Sequence, residues 1–317
     1  MSPTVPADTM QPLRGRLRLG QPMGRYTSWR VGGPADRLYL PRDLADLRQF
    51  LAHWRQGPVT WVGMGSNLLV RAGGIRGTVV VMAGALNDMQ QVDQVTVRAG
   101  AGVSCAKLAR FCANAGLAGA EFLAGVPGTL GGALAMNAGA HGGETWPLVK
   151  KVELLDADGN LQERVPADFQ IGYRSVQGMA DACFVAAELS LRPEDPAIVN
   201  RRIRDWLARR AETQPLEMPS CGSVFRNPPG DHAARLIESC GLKGRRIGGA
   251  QISEKHANFI VNTGTASPAD IEMLIHEVGE TVEQRTGIRL HPEVRVLGEM
   301  DENYSVSCRL KRKIRGM

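Results

Sequence analysis

Residues 125–140 constrain this chain more than any other stretch: between Leu123 and Gly143 the sequence is almost entirely glycine, alanine and small polar residues. With so few side chains in the way, the backbone can come close to a bulky ligand and offer it several N–H groups. A cradle for a phosphorylated cofactor is the chemistry that fits. A second such cluster, Gly63-Met64-Gly65-Ser66-Asn67-Leu68, lies upstream, and a third, around Gly32 and Gly33 in residues 27–34, precedes both. Three clusters in this order are far more specific than one.

The surrounding elements decide which cradle this is. Residues 59–62 read as a short buried strand running into the first glycine loop, but 68–70 continues as strand, no amphipathic helix opens there, and no Walker lysine is present. That is neither a Rossmann fingerprint nor a P-loop. Further strands are expected at 78–82, 95–97, 152–155 and 184–191, with a helix over 103–115 capped by Gly116 and a turn at 156–160, so the block reads as strand-rich α+β. Pro193 and Pro196 mark a boundary before a helical stripe of Val199, Ile203, Trp206 and Leu207, whose flanking arginines read as the solvated face of a connecting helix. A third unit follows, with a helix near 231–240, a strand at 257–261 and a final helix capped by Ser267, opened by Pro268 and stopped by Gly287.

Composition narrows the class. With 317 residues, 43% apolar and 22% charged, the chain has room for two or three folded domains and is not a disordered polymer. Six cysteines (Cys105, Cys112, Cys183, Cys221, Cys240, Cys308) lack C-x-x-C spacing, which argues against a zinc site or disulfide framework and for a reducing compartment, so a cytoplasmic location is expected. No signal peptide or membrane-spanning run is read. Of the net charge of +6, residues 303–317 carry +5, a tail read as solvated in preference to an arm for polyanions. Nucleic acid, membrane insertion, a bound metal and an obligate protein partner are therefore not expected.

Three polar clusters stand out. Arg174 follows Tyr173 and Gly172; Ser223 follows Gly222 at the entry to an apolar strand and leads to Asn227; Glu293 follows Pro292. Taken singly, each has an ordinary structural explanation, such as an ion pair of Glu293 with Arg289 or Arg295. Taken together with the glycine clusters, residues 236–244, 248–250 and 255–262, they resemble the UDP-N-acetylenolpyruvoylglucosamine reductase (MurB) family over about residues 27–298.

The resemblance implies a two-subdomain FAD-binding fold of the vanillyl-alcohol-oxidase type, followed by an α/β substrate-binding domain. The corresponding boundaries are 20–86, 87–197 and 198–302, with 303–317 as a basic tail. It further implies NADPH-dependent reduction of UDP-N-acetylglucosamine enolpyruvate to UDP-N-acetylmuramate through non-covalent FAD, in peptidoglycan precursor synthesis. FAD contacts are then expected from Gly63, Met64, Gly65, Ser66, Asn67 and Leu68, from Gly125, Val126, Pro127, Gly128, Thr129 and Gly132, and from Asn137, Ala138 and Gly139. Ser223 would be the proton donor, with Arg174 and Glu293 flanking the enolpyruvyl group; Tyr173, Asn227, Lys255, His256 and Asn258 would contact substrate. Two features depart from the usual pattern. The serine usual two positions after the arginine is replaced by Val176, with Ser175 directly adjacent, and no tyrosine lies between Tyr173 and Tyr304. The chain thus resembles a shorter branch that lacks a tyrosine-bearing loop, and one or more of Lys243, Arg245 and Arg246 are expected to neutralise the UDP diphosphate in its place. An alcohol or sugar oxidase on the same fold is the competing enzyme reading, and a polyanion-binding protein the non-enzymatic one.

Overall fold

The computed structural model describes residues 12–54 and 57–300; the basic tail at 303–317 lies outside them. Its first unit is a four-stranded sheet in the order Arg16–Pro22, Pro34–Leu40, Ile75–Val81, Val59–Val62. The outer pair is antiparallel and the other two pairings are parallel. Ile75–Val81 lies inside this sheet and is buried at every position but Arg76, as the β-branched run at 78–81, flanked by parallel neighbours, requires. The helix Leu44–Trp54 lays Leu47, Phe50 and Leu51 against Tyr39 and Val80.

The second unit is a five-stranded antiparallel sheet in the order Leu161–Arg164, Val149–Leu155, Cys183–Ser190, Thr96–Gly100, Met89–Gln91. Helices Cys105–Asn114 and Leu130–Met136 close its core with Leu108, Leu130 and Leu134 against Val97 and Leu189. The helix Pro196–Thr213 adds Val199 and Ile203 to the same core, so it is packed onto this unit instead of merely connecting. Its arginines are not all solvated either. Arg202 pairs with Glu194 at 2.6 Å and with Glu121, a buried carboxylate that also accepts the Gly119 N–H.

In the third unit, helices Ala233–Ser239 and Pro268–Thr286 accompany a small antiparallel sheet of Arg246–Ile247, Ala250–Ile252 and Ile260–Asn262. The final helix has the expected signals: Ser267 and Asp270 form a reciprocal capping box, and Gly287 ends it at φ +73°. The strand expected over 257–261 begins only at Ile260. Before it, the Ser253 hydroxyl accepts the N–H groups of Lys255 and His256, and this local turn competes with extension.

Two links bring the units together. Trp29, fully buried in the core of the third unit, donates its indole N–H to Ile260 O at 2.7 Å. The strand Arg295–Leu297 leaves the third unit and pairs in parallel with Leu68–Val70, directly after the first glycine loop.

Candidate active site

Both glycine segments face a groove of about 600 Å³ between the first two units, within the usual size of a cofactor cleft. Residues 63–68, 126–129, Gly132 and Ala138 line it, together with 58–62, 179–182, Arg295 and Leu297. The glycines are required by close approach. A Cβ on Gly63 would lie 2.6 Å from Thr129 Oγ1, and one on Gly65, at φ +62°, would collide with Tyr26 O. Neither the N–H groups of residues 63–67 nor those of Gly128 and Thr129 donate a hydrogen bond to the described residues. Rows of unused backbone N–H donors beside closely packed glycines fit the diphosphate and ring system of FAD.

Three of the expected cofactor contacts do not line this groove. Gly125 faces His141. Asn137, only 1% exposed, spends its amide on Glu144, Gly172 O and the Trp146 N–H, which stabilises the left-handed cap of the preceding helix. Gly139 pairs with Glu144 and gives its carbonyl to Arg174. These positions shape the wall from behind. The opposite wall, 179–182, carries no signal in the sequence because it is an ordinary loop, whereas Arg295 is a groove-lining cation that its place beside Glu293 could have suggested.

Arg174 sits at the tip of a hairpin formed by Gln170–Gly172 and Ser175–Gln177, at φ +53°. A side-chain-bearing residue in the left-handed region is uncommon, and such strain concentrates at functional sites. Its guanidinium donates to Asn137 O at 3.1 Å and Gly139 O at 2.6 Å, lies 5.2 Å from the Tyr173 ring centroid, and pairs through Nε with Glu293 at 3.3 Å. The partner of Glu293 is thus neither Arg289 nor Arg295. Burial pushes the Glu293 carboxyl above its ordinary value, against the opposing pull of Arg174 and Arg226. Val176, at the usual serine position, packs against the second core, so no hydroxyl is presented there.

The segment that carries Ser223 is joined to this pair through the backbone of the next residue, Val224. Glu293 N–H donates to Val224 O at 2.7 Å, and Cys221 Sγ lies 3.6 Å from Leu68 O, so residues 221–226 are laid across the end of the first glycine loop. Asn67 completes the joint, donating to Glu293 O at 3.0 Å. The Ser223 hydroxyl is half-buried and makes no hydrogen bond to the described residues.

The expected substrate contacts divide. Tyr173 is exposed beneath Arg174, and Asn227 is exposed while its Oδ1 accepts the Ala233 N–H at the start of a helix. Asn258 is buried instead, and both ends of its amide bind the Phe225 backbone at 3.0 and 2.8 Å, which makes it a clamp on the serine segment. His256 packs edge-on to Phe259 and accepts the Asn258 N–H through Nδ1, while Lys255 donates to Ala211 O. Lys243 and Arg245 are already neutralised, by Glu238 at 2.7 Å and Glu277 at 2.6 Å, and Arg246 binds Gln251. The expected role at a diphosphate thus meets a competing carboxylate at Lys243 and Arg245, whereas Arg246 has only a neutral amide partner.

Residues 35–164 match the family described as FAD binding domain, and with the donor-lined groove this defines a flavin-binding protein. Residues 214–297 match "UDP-N-acetylenolpyruvoylglucosamine reductase, C-terminal domain". The chain is 59% identical to the UDP-N-acetylenolpyruvoylglucosamine reductase of Alkalilimnicola ehrlichii, across 90% of this chain and 96% of that protein. It is 57% identical to that of Methylococcus capsulatus, across 92% and 97%. The crystal structure of MurB from Thermus caldophilus superposes with a TM-score of 0.76 at 33% identity, covering 90% of this chain and 99% of that one. The chain belongs to the UDP-N-acetylenolpyruvoylglucosamine reductase family.

Proposed function

We propose that Arg174, Ser223 and Glu293 are the residues through which this chain performs the reaction of its family. The observation that carries the reading is the Arg174–Glu293 pair, held at 3.3 Å with both side chains about 15% exposed, between the second glycine segment and the strand that enters the groove. The protein is an FAD-dependent oxidoreductase with NADPH as co-substrate, and it reduces UDP-N-acetylglucosamine enolpyruvate to UDP-N-acetylmuramate in peptidoglycan precursor synthesis. Bound FAD supplies the two-electron chemistry between NADPH and the enolpyruvyl double bond.

The residues supply charge and protons. As the double bond is reduced, negative charge accumulates on the carboxylate side of the substrate, where a fixed guanidinium such as Arg174 lowers the barrier. The Ser223 hydroxyl, with no partner among the described residues to hold it, donates the proton to the adjacent carbon. Glu293, whose burial favours its protonated form, restores that proton or steadies the serine oxygen after transfer. Residues 63–67, Gly128 and Thr129 line the groove and offer the cofactor backbone N–H groups that no acceptor among the described residues uses.

A cytoplasmic location and the shorter branch of the family belong to the same reading. All five cysteines of the described residues are free and buried, and the sequence has no tyrosine between Tyr173 and Tyr304. Among the described residues no helix is long and apolar enough to cross a membrane, and no cluster of His, Cys, Asp and Glu is placed to hold a metal. The test is anaerobic and direct. NADPH should bleach the flavin of the purified holoenzyme, and colour should return on adding UDP-N-acetylglucosamine enolpyruvate but not UDP-N-acetylglucosamine. A flavin that stays bleached with the enolpyruvyl compound, or stays attached after denaturation as in a tethered oxidase, overturns the reading.

A further inference from the structure

Arg226 stands three residues after Ser223 in a segment fixed from across: its N–H donates to His291 O at 2.9 Å, and Phe225 forms an antiparallel bridge with Pro292. The bridge sets Arg226 opposite His291 and Val224 opposite Glu293. The Arg226 Nε is buried and makes no hydrogen bond. Its terminal nitrogens make none to the described residues either, and they are not enclosed.

The contrast with Arg174 is chemical. Arg174 shares the buried Nε without a hydrogen bond, but that Nε lies 3.3 Å from Glu293 and the rest of the fork is spent on two backbone carbonyls, so its remaining capacity is small. Arg226 keeps its whole fork, and its charge is close enough to draw the Glu293 carboxyl downward. Two guanidinium groups and one carboxylate leave at least one positive charge without a counter-charge in a partly desolvated site. Such a charge is costly to keep unless a ligand brings an anion, and a planar fork matches a carboxylate.

We propose that Arg226 receives the carboxylate of the enolpyruvyl group, with Arg174 and Glu293 on its other side, and so is a further catalytic residue of the reaction. This rests on the functional reading above. The test compares equilibrium binding of two ligands to the FAD-loaded enzyme, followed by flavin absorbance: UDP-N-acetylglucosamine enolpyruvate and UDP-N-acetylglucosamine, which lacks the carboxylate. Arg226→Gln should weaken the first by roughly 10- to 100-fold, the range for a hydrogen bond to a charged group. The second should change by no more than about twofold, since no carboxylate contact is lost. Bleaching by NADPH should proceed as in the parent. Arg226→Lys, which keeps the charge without the fork, should recover part of the loss, and it carries the same comparison if Arg226→Gln does not fold. Equal weakening of both ligands would place Arg226 at the sugar-nucleotide part and overturn the proposal, as would no weakening of either. If the unmodified enzyme is not reoxidised by the enolpyruvyl compound, the functional reading itself fails, whatever Arg226 does.

Discussion

A serine hydroxyl is a weak acid, and Ser223 can act as one only where its surroundings do not already use its proton. Its lack of a partner among the described residues is therefore as informative as its place beside Val224, whose carbonyl accepts the Glu293 N–H. In Ser223→Ala, NADPH should still bleach bound FAD at near the parent rate, while reoxidation by the enolpyruvyl substrate should slow by about 10²–10⁴-fold. Stopped-flow absorbance separates the two halves, and a defect in the first half alone would remove Ser223 from proton transfer. Glu293 makes a different prediction. Because burial raises its carboxyl above the ordinary value, the folded protein holds that proton more tightly than the unfolded chain does. Its contribution to stability is fully present below the unfolded value and is lost as pH rises through the raised folded one. Glu293→Gln cannot titrate, so its stability relative to the parent should improve as pH rises from about 4 toward neutrality. Urea unfolding at several pH values checks the slope, and a difference that stays flat or runs the other way refutes the shift.

At the scale of elements, most strands and helices are legible because their signals are local. The capping box at Ser267 and the left-handed Gly287 need only neighbouring residues. Asp46 shows the limit of that legibility. It is fully buried, yet it accepts the Tyr39 hydroxyl at 2.6 Å and the N–H groups of Arg14, Gly15 and Arg42, fastening the start of the N-terminal strand to the first helix. Burial raises its carboxyl, but these donors win, and it lies below its ordinary value. Asp46→Asn exchanges an acceptor for a donor among donors and should cost about 1–3 kcal/mol at neutral pH. The contribution of Asp46 is present above the unfolded pKa and is lost as pH falls through the lowered folded one, so parent and variant should converge in acid. Chemical denaturation at neutral and acid pH tests both the size and the convergence. A loss that persists unchanged in acid would point to packing.

Across the whole molecule, the third unit is tied back onto the first and lends Arg295 and Leu297 to the groove. Trp29 lies in the core of the third unit and is bound to Ile260, and Asn262 donates to the Trp29 carbonyl at 2.9 Å. Trp29→Ala should cost about 3–5 kcal/mol, the usual loss for a buried tryptophan. Because Arg295–Leu297 carries Glu293 and Arg295 to the glycine loop, the same change should weaken FAD binding. Thermal unfolding followed by tryptophan and flavin fluorescence would detect both losses. Unchanged FAD affinity alongside a lowered melting temperature would show that the strand holds without the tie.

What the sequence determined by itself is the set of local conditions: where the backbone must be bare, where helices start and stop, and which motifs occur in the order of one family. Glycine spacing, caps and alternating strands act over a few residues, so they can be read without coordinates. The tertiary structure decided which polar side chains remain free once buried donors and acceptors have found partners. Asn137 and Asn258 look like ligand contacts in a motif, yet the fold turns them onto Glu144 and the Phe225 backbone. Lys243 and Arg245 look available until Glu238 and Glu277 meet them. Arg226, ordinary in the sequence, is left with a buried Nε and no hydrogen-bond partner for it among the described residues. Pairings across tens to hundreds of positions depend on how the three units close on one another, and desolvation makes those pairings decisive for which charges are still open to a ligand.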